Sequence, residues 1–485
     1  MKRILNAEEL TSHGHIEGRR AMVEILEAGL RAADPYFNTL KLLRLDGNRL
    51  IVGCPEFEPA GSPRTGEEVF DLSRVGRIYV FGAGKGVQRV ARAIEDVLGE
   101  RLTGGHVIDK HGGETILERI GVTYGAHPVP DEGCVEGCEK ILAMCRDLRP
   151  EDLVFTIAAN GISSLLTLPV PGVTLEDVRQ TTYIMQIERG AFTGDLNPVR
   201  NHLDMMKGGR ISRYIQPVRA IHITAWDPMT HDNLMHKNVW LHTLPEGSTF
   251  EHAVAMLKKW DAWDAVPASV REHLLRADPQ YETVKAAEFE RMAPWRIFGV
   301  MPPHLGMLPT ACKKAAELGF EPHLLSSGMQ AEAGQVGLVL ANIALNIERT
   351  GQPFEPPCAL ISGGEMVVTV GKEKGIGGRN QECALTAATR IAGSENILIA
   401  SVDSDGTDGP GHQFVDSCEG MPDLDGGLVD GYTAARAQEL GIDLVAELKK
   451  HNTTPPLCRL GDGVVATHNI SMNDLTVTLV LGRSR

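Results

Sequence analysis

The sequence predicts an α/β protein of two Rossmann-like lobes, with mostly parallel sheets and an active-site cleft between the lobes. Three observations lead there. Short apolar β-like runs alternate with helices of roughly 10–20 residues along the chain. Short glycine-rich turns lie at the strand ends. The segment Arg77–Phe81 runs into Gly82-Ala83-Gly84-Lys85-Gly86 and then a helix, the opening of a Rossmann unit. Open sheets of this kind bind ligands beyond the carboxyl ends of their strands, so those turns are where site residues are sought.

The elements follow in order. Residues 19–33 form an amphipathic helix with Met22, Ile25, Leu26 and Leu30 on one face. A turn and a short strand lead to a surface loop at 55–64. The helix after the Lys85 turn buries Val87, Val90, Ala91, Ile94, Val97 and Leu98. A strand is expected near 102–108. Pro130 and Asp131 then open a helix with Cys134, Cys138, Ile141, Leu142 and Cys145 on one face. Leu153–Ile157 is a buried strand, Thr174 caps a helix with acidic residues in its first turn, and Arg219–Thr224 is a further strand. A capped helix starts at Ser248. Residues 265–294 read as a polar helical connection between lobes. Arg296–Met301 then begins the second lobe, which divides the chain into 1–290 and 291–485. A helix at 308–319, a strand at 322–325 and a long helix opened by Met329–Gly334 follow, with Val336, Leu340 and Ile343 inward. Two apolar strands precede the glycine-rich segments at 362 and 403, and 475–481 closes the chain as a strand.

With 485 residues the chain has enough length for two or three domains. A net charge of -15 argues against nucleic acid or an anionic membrane as a partner. No apolar run approaches the ~18 residues of a membrane span, and the first twenty residues lack the apolar core of a signal peptide. Nine scattered cysteines fit a reducing cytoplasm. Cys134, Cys138 and Cys145 sit at helical spacing and read as buried small residues rather than metal ligands.

The chemistry is densest between Ile361 and Pro410. Ser362-Gly363-Gly364-Glu365 ends one strand, and Gly375-Ile376-Gly377-Gly378-Arg379-Asn380-Gln381-Glu382 follows. Asp403-Ser404-Asp405-Gly406-Thr407-Asp408-Gly409-Pro410 ends the next strand. Glycine turns let backbone N–H groups approach an anion, and helix N-termini add positive potential. Arg379 can neutralise phosphate bidentately, and Asp405 and Asp408 can hold Mg²⁺ through oxygen. These segments read as a nucleotide or phosphoryl site. Upstream, Val87 stands where the third glycine of a dinucleotide fingerprint belongs, and the P-loop pattern is absent. Lys85 is thus either a cation for an anionic ligand or a solvated lysine on a first helical turn. Ser163 and Ser164 start a helix and can donate to phosphate or carboxylate. Arg200, His202, Lys207 and Arg210 concentrate positive charge, as a ligand-facing set or a solvated basic face. Asp227 at a strand end suits a general base or a magnesium ligand. His231, Asp232 and His236 nearby have no metal-specific spacing. Glu332, in a first helical turn, is a candidate ligand contact or a complement to the helix dipole.

The Gly-Gly-Arg-Asn-Gln-Glu and Asp405–Gly409 segments resemble the C-terminal MOFRL region of the type-2 glycerate kinase family, whose N-terminal region is the DUF4147 domain. The resemblance extends from near Gly18-Arg19-Arg20 to Leu481 and takes in Ala126–Glu132, Asn197–Leu203 and Lys207–Arg210. It departs from the family at three anion-binding turns, 158–164, 240–246 and 466–471, which marks a divergent member. The resemblance implies ATP-dependent phosphoryl transfer to a hydroxyl of a small hydroxy acid, with D-glycerate to 2-phosphoglycerate as prototype. Lys85 and Arg379 would stabilise the transferring phosphoryl, and Asp227 or Asp405 would orient the hydroxyl or take its proton. Asp405 and Asp408 would hold Mg²⁺, Arg200 would clamp the substrate carboxylate, and Gly84, Ser163, Ser164, Lys207, Gly363, Gly364, Glu365, Gly378 and Asn380 would line the ligands. ATP and Mg²⁺ are the implied cofactors, and a homodimer stays open. Two other readings remain: a nicotinamide-dependent hydroxypyruvate reductase, against which the broken fingerprint argues, and a ligand-binding relative without turnover.

Overall fold

A computed structural model describes residues 2–373, 375–409, 421–467 and 473–484. The chain forms two compact units, one of residues 34–302 and one of residues 1–33 together with 303–485. Strands are numbered along the chain. The first unit holds β1 (Leu43–Asp46), β2 (Arg49–Val52), β3 (Glu68–Asp71), β4 (Ile78–Ala83), β5 (Gly104–Lys110), β6 (Gly121–Gly125), β7 (Leu153–Ala158), β8 (Arg219–Thr224) and β9 (Trp295–Gly299). The second holds β10 (Glu321–Met329), β11 (Cys358–Gly364), β12 (Ile397–Asp403), β13 (Gly426–Asp430), β14 (Gly463–Val464) and β15 (Asp474–Val480).

In the first unit β1–β3 make a small antiparallel sheet. The main sheet has the order β6-β5-β4-β7-β8-β9, parallel at every pairing. The chain starts in the middle at β4, builds outward through β5 and β6, then returns to place β7, β8 and β9 on the other side. That is the doubly wound order, with its reversal between β4 and β7. Every residue of β7 is buried, as expected of a parallel strand covered on both faces. Helix Val87–Leu98 buries the apolar face expected of it, with Val97 half-buried. Helix Glu132–Cys145 is capped by Asp131 and packs Cys134, Cys138, Ile141 and Cys145 into the core. Thr174 and Asp177 form a reciprocal capping box. The helix expected from Ser248 is capped by Thr249 instead.

The division at 290/291 differs from the one the contacts make. Strand β9 pairs with β8, Ala220 opposite Trp295 through Thr224 opposite Gly299, so this run completes the first sheet rather than beginning a second lobe. Helix Ala268–Arg276, expected as part of a connection, packs Val270 and Leu274 into the first unit's core. An apolar run announces a buried strand but carries no information about its pairing partner.

The sheet of the second unit is mixed, against the expectation of mostly parallel strands. Its order is β10-β11-β15-β12-β13-β14. Only β10 and β11 run parallel; the other pairings are antiparallel. The cause is β15, which inserts between β11 and β12 and runs against both. Residues 426–430 form β13.

The N-terminal helix Ile16–Ala32 belongs to this second unit. Its Met22, Ile25, Leu26 and Leu30 share a core with Leu398, Ala400, Leu475 and Val477. Arg19 locks it there: Nε donates to Asp430 at 2.6 Å and Nη1 to Asp462 at 2.8 Å, with the whole group buried. Burial pushes the Asp430 carboxyl up, and the Arg19 hydrogen bond outweighs it to hold it below its ordinary value. Among the described residues no helix is long and apolar enough to cross a membrane. Arg19→Ala leaves two buried carboxylates without their cation. Urea unfolding should show a loss of about 3–5 kcal/mol.

Candidate functional site

The reversal of the first sheet brings two turns together. After β4, Gly84 adopts φ +124°, and a Cβ there would lie 2.4 Å from the Ala159 carbonyl oxygen, so the β4 and β7 turns can touch only through glycine. The Lys85 N–H donates to the Asn160 carbonyl at 2.7 Å, and helix Val87–Leu98 starts immediately beyond. The turn after β7 continues through Gly161, whose imagined Cβ lies 3.1 Å from the His127 ring and 3.3 Å from Lys85 Cε. Lys85, His127 and the Asn160-Gly161 backbone thus meet at the switch point, with Lys85 only 6 % exposed.

A second group lies behind it. Ser163 Oγ sits 2.8 Å from His242 Nε2 and accepts from Asn197 Nδ2 at 2.9 Å. His242 is fully buried; burial first, and then Lys207, Arg200 and Arg210, push its pKa well below the ordinary histidine value. Its ring is therefore neutral. The Gly208 N–H faces Nδ1 at 3.5 Å, which assigns the proton to Nε2 and makes His242 a donor to Ser163. The serine oxygen then accepts twice and keeps its own proton to give away. Ser164 differs, because it donates to the Ala126 carbonyl at 3.0 Å.

Several expected ligand contacts have internal tasks. Lys207 is buried and donates to Asp204 at 2.6 Å and Thr167 at 2.7 Å. Burial pulls its pKa down against the pull of Asp204. Arg200 donates to the Gln186 amide oxygen at 2.7 Å and the Pro128 carbonyl at 3.3 Å, bracing the loop that carries His127. Arg210 donates to the carbonyls of Asn201 and Lys207. His202 pairs with Glu282 at 2.9 Å. Asp227, just past β8, accepts from the Met229 N–H at 2.8 Å. The turn around 240–246 folds around Asn238, whose side chain bonds Leu241 and Pro245.

In the second unit the site is a row of aspartates. Asp403 ends β12 opposite Asp474, which begins β15, and the Asp403 N–H donates to the Asp425 carbonyl at 2.7 Å. Three aspartates therefore stand side by side on adjacent strands. Arg379 begins helix Arg379–Arg390 and answers two of them. Its Nε reaches Asp474 at 2.9 and 3.0 Å and its Nη2 reaches Asp403 at 2.8 Å, leaving Nη1 outside this clamp on a side chain 18 % exposed. Burial lowers the Arg379 pKa, but Asp474 and Asp403 more than restore it, well above its ordinary value. Burial raises Asp474 to about 6 against the attraction of Arg379.

Asp408 caps the same helix. It accepts from the backbone N–H of Asn380 at 3.1 Å and Gln381 at 2.8 Å, and from Asn380 Nδ2 at 3.1 Å. Burial raises it to about 7. Both oxygens accept from N–H donors, which makes Asp408 a helix cap. Gly378 is dictated by this cap, since a Cβ there would lie 2.3 Å from Asp408 Cγ. Asn380 also bonds Asp474 at 2.8 Å and accepts from Ser401 at 2.6 Å. Asp405 accepts from the Thr407 N–H at 3.0 Å and its own N–H bonds Asp403 at 3.1 Å. Gly363 packs under Leu308. A Cβ on Gly364 would lie 2.2 Å from the Met329 nitrogen, and the Glu365 N–H bonds the Met329 carbonyl, so Gly364 and Glu365 hold β11 to β10. Glu332 bonds Thr369. Pro410 and residues 468–471 of the third altered turn lie outside the described residues. Among the described residues no three His, Cys, Asp or Glu side chains form a set that could hold a metal ion.

Sequence reasoning passed over three functional-looking side chains: Asn197, His242 and Asp425. Asn197 lay inside a quoted motif, His242 in a turn noted only as altered, and Asp425 in a segment that carries no motif.

Fold and site define a two-unit α/β protein with charged turn–helix junctions at its strand ends. Residues 21–275 match DUF4147, a domain of unknown function, and residues 358–474 match the MOFRL family. A glycerate 2-kinase of Pyrococcus horikoshii is 33% identical over 473 residues, which cover 96% of this chain and 98% of that one. A protein of Agrobacterium vitis named putative hydroxypyruvate reductase is 31% identical over 407 residues, covering 84% and 87%. A solved glycerate kinase of Thermotoga maritima superposes with a TM-score of 0.67 at 28% identity, covering 95% of this chain and 99% of that one. The chain belongs to the type-2 glycerate kinase family, with its DUF4147 and MOFRL regions in that order.

The neutral His242 ring has a consequence for stability. Its folded pKa is depressed, so below about pH 6.5 the unfolded chain binds a proton that the folded chain refuses, and stability falls as pH falls. Each pH unit should cost about 1.4 kcal/mol from this group. His242→Gln should flatten the pH dependence of urea unfolding below pH 6.5 by about one proton.

Proposed function

We propose that this protein is an ATP-dependent kinase that phosphorylates a hydroxyl of a small hydroxy acid, with D-glycerate to 2-phosphoglycerate as the first reaction to test. The observation that carries this reading is the placement of Lys85 at the switch point of a doubly wound sheet, in a chain whose near full-length relatives bear glycerate kinase names. Ligands of such sheets bind where the strand order reverses. The turn there offers the Lys85 cation, while Val87 takes the place of the third glycine of a dinucleotide fingerprint, which suits phosphate rather than a nicotinamide cofactor.

Phosphoryl transfer needs positioning and charge neutralisation more than covalent chemistry. Lys85 neutralises anionic oxygen in the first unit. Arg379 presents Nη1 in the second, its plane held by Asp403 and Asp474 so that little freedom is lost on binding. Ser163, with its oxygen already accepting from His242 and Asn197, donates its proton to a ligand oxygen. Asp227 or Asp405 orients the attacked hydroxyl or takes its proton. Arg200 acts through the His127 loop that it braces. ATP is the phosphoryl donor of this reading. Mg²⁺, when bound, would neutralise charge on the phosphate oxygens, and the buried Asp425 Oδ1, which has no hydrogen-bond partner among the described residues, is the kind of group it suits. A homodimer and a cytoplasmic location are compatible with this reading.

Phosphorus NMR of the protein with Mg-ATP and D-glycerate should show a new phosphomonoester. Lys85→Ala and Arg379→Ala should each lower kcat by roughly 10²–10³-fold, the usual effect of removing one charge-stabilising donor. Unchanged ATP across a panel of hydroxy acids, or oxidation of NADH with hydroxypyruvate, would overturn the kinase reading.

A further inference from the structure

Asp425 is fully buried, and the aspartate row leaves it unanswered. Its Oδ2 accepts from the Ala466 N–H, but its Oδ1 has no hydrogen-bond partner among the described residues. Its neighbours across the sheet are acids: Asp403 beside it on β12, then Asp474 on β15. Directly opposite residues of antiparallel strands project to the same face, so these carboxylates share one side of the sheet. Arg379 pairs with Asp403 and Asp474, whereas Asp425 makes no ion pair among the described residues. Asp405 lies two residues beyond Asp403, and its N–H donates to the Asp403 carboxylate at 3.1 Å, which keeps it beside the row; its charge also acts on Asp425. A buried carboxylate oxygen beside other carboxylates, with neither donor nor cation, is costly unless a positive group joins it.

We propose that Asp425 and Asp405 are ligands of a bound divalent cation where β12 ends beside the start of β13. Two carboxylates with the remaining positions left to water or phosphate oxygens is the habit of Mg²⁺, which rarely takes an all-protein cage. The cation sits next to the Arg379 clamp and supplies the positive charge that Arg379, already shared between two aspartates, cannot. The site rests on the kinase reading and deepens it by naming Asp425, beside Asp405, as an acid that holds the metal.

The test uses Mn²⁺ alone as the probe, with full-length protein and no nucleotide, so it reads the metal independently of any kinase activity. Electron paramagnetic resonance titration should show one bound Mn²⁺ per chain, and Mg²⁺ should displace it. Asp425→Asn should weaken binding at least ten-fold while circular dichroism stays as in the unsubstituted protein. Should that variant fail to fold, Asp405→Asn should show the same loss. Folded protein that leaves Mn²⁺ free, or a folded Asp425→Asn or Asp405→Asn variant that binds it undiminished, would overturn the proposal. Bound Mn²⁺ in a protein that makes no phosphomonoester would overturn the kinase reading and leave this site standing.

Discussion

A buried charge must be met by another, and the second unit is arranged around that requirement. Asp403, Asp425 and Asp474 stand in one row because three antiparallel strands end or begin at the same level. Arg379 can reach two of them only because it starts a helix directly in front of the row. That helix start is in turn fixed by Asp408, brought back by the loop after β12 to accept its first N–H groups. Removing any one of these groups leaves a partner uncompensated in a low-dielectric interior, where the penalty is several times that of a surface pair.

The first unit solves a different problem by a different route. Its parallel sheet carries no comparable charge row; the chemistry arrives where β4 and β7 part and two glycine turns can touch. Behind them, His242 is kept neutral by burial and by the cations around it, and this fixes it as a donor to Ser163. Lys207, a cation in the middle of a basic sequence motif, serves to hold Asp204 rather than to greet a ligand. Charged residues close in sequence thus divide into those that shape the site and those that can meet a substrate, and only their partners tell them apart.

Much of this was legible in the sequence. The Lys85 turn could be found because strand, glycine turn and helix follow one another within a few residues, so the local pattern carries the geometry. The capping of the helices by Asp131 and Thr174 was legible for the same reason. The role of Asp408 was not. An aspartate in a glycine-rich turn carries no local mark of the helix it caps, and only the position of Asn380 and Gln381 shows the cap. Asp425 was invisible because nothing near it in sequence is unusual; its neighbours Asp403 and Asp474 come from other strands.

By itself the sequence determined the α/β class, most strand and helix positions, and the two charged turns at Lys85 and Arg379. These depend on hydrophobic periodicity and turn chemistry, which act over a few residues. The tertiary structure alone decided that 295–299 closes the first sheet, that the first 33 residues join the second unit, and that β15 enters between β11 and β12. It also decided which acids share one arginine. Strand pairing and ion pairing join residues far apart in the chain, and an apolar run or an aspartate carries no local mark of the partner it will meet.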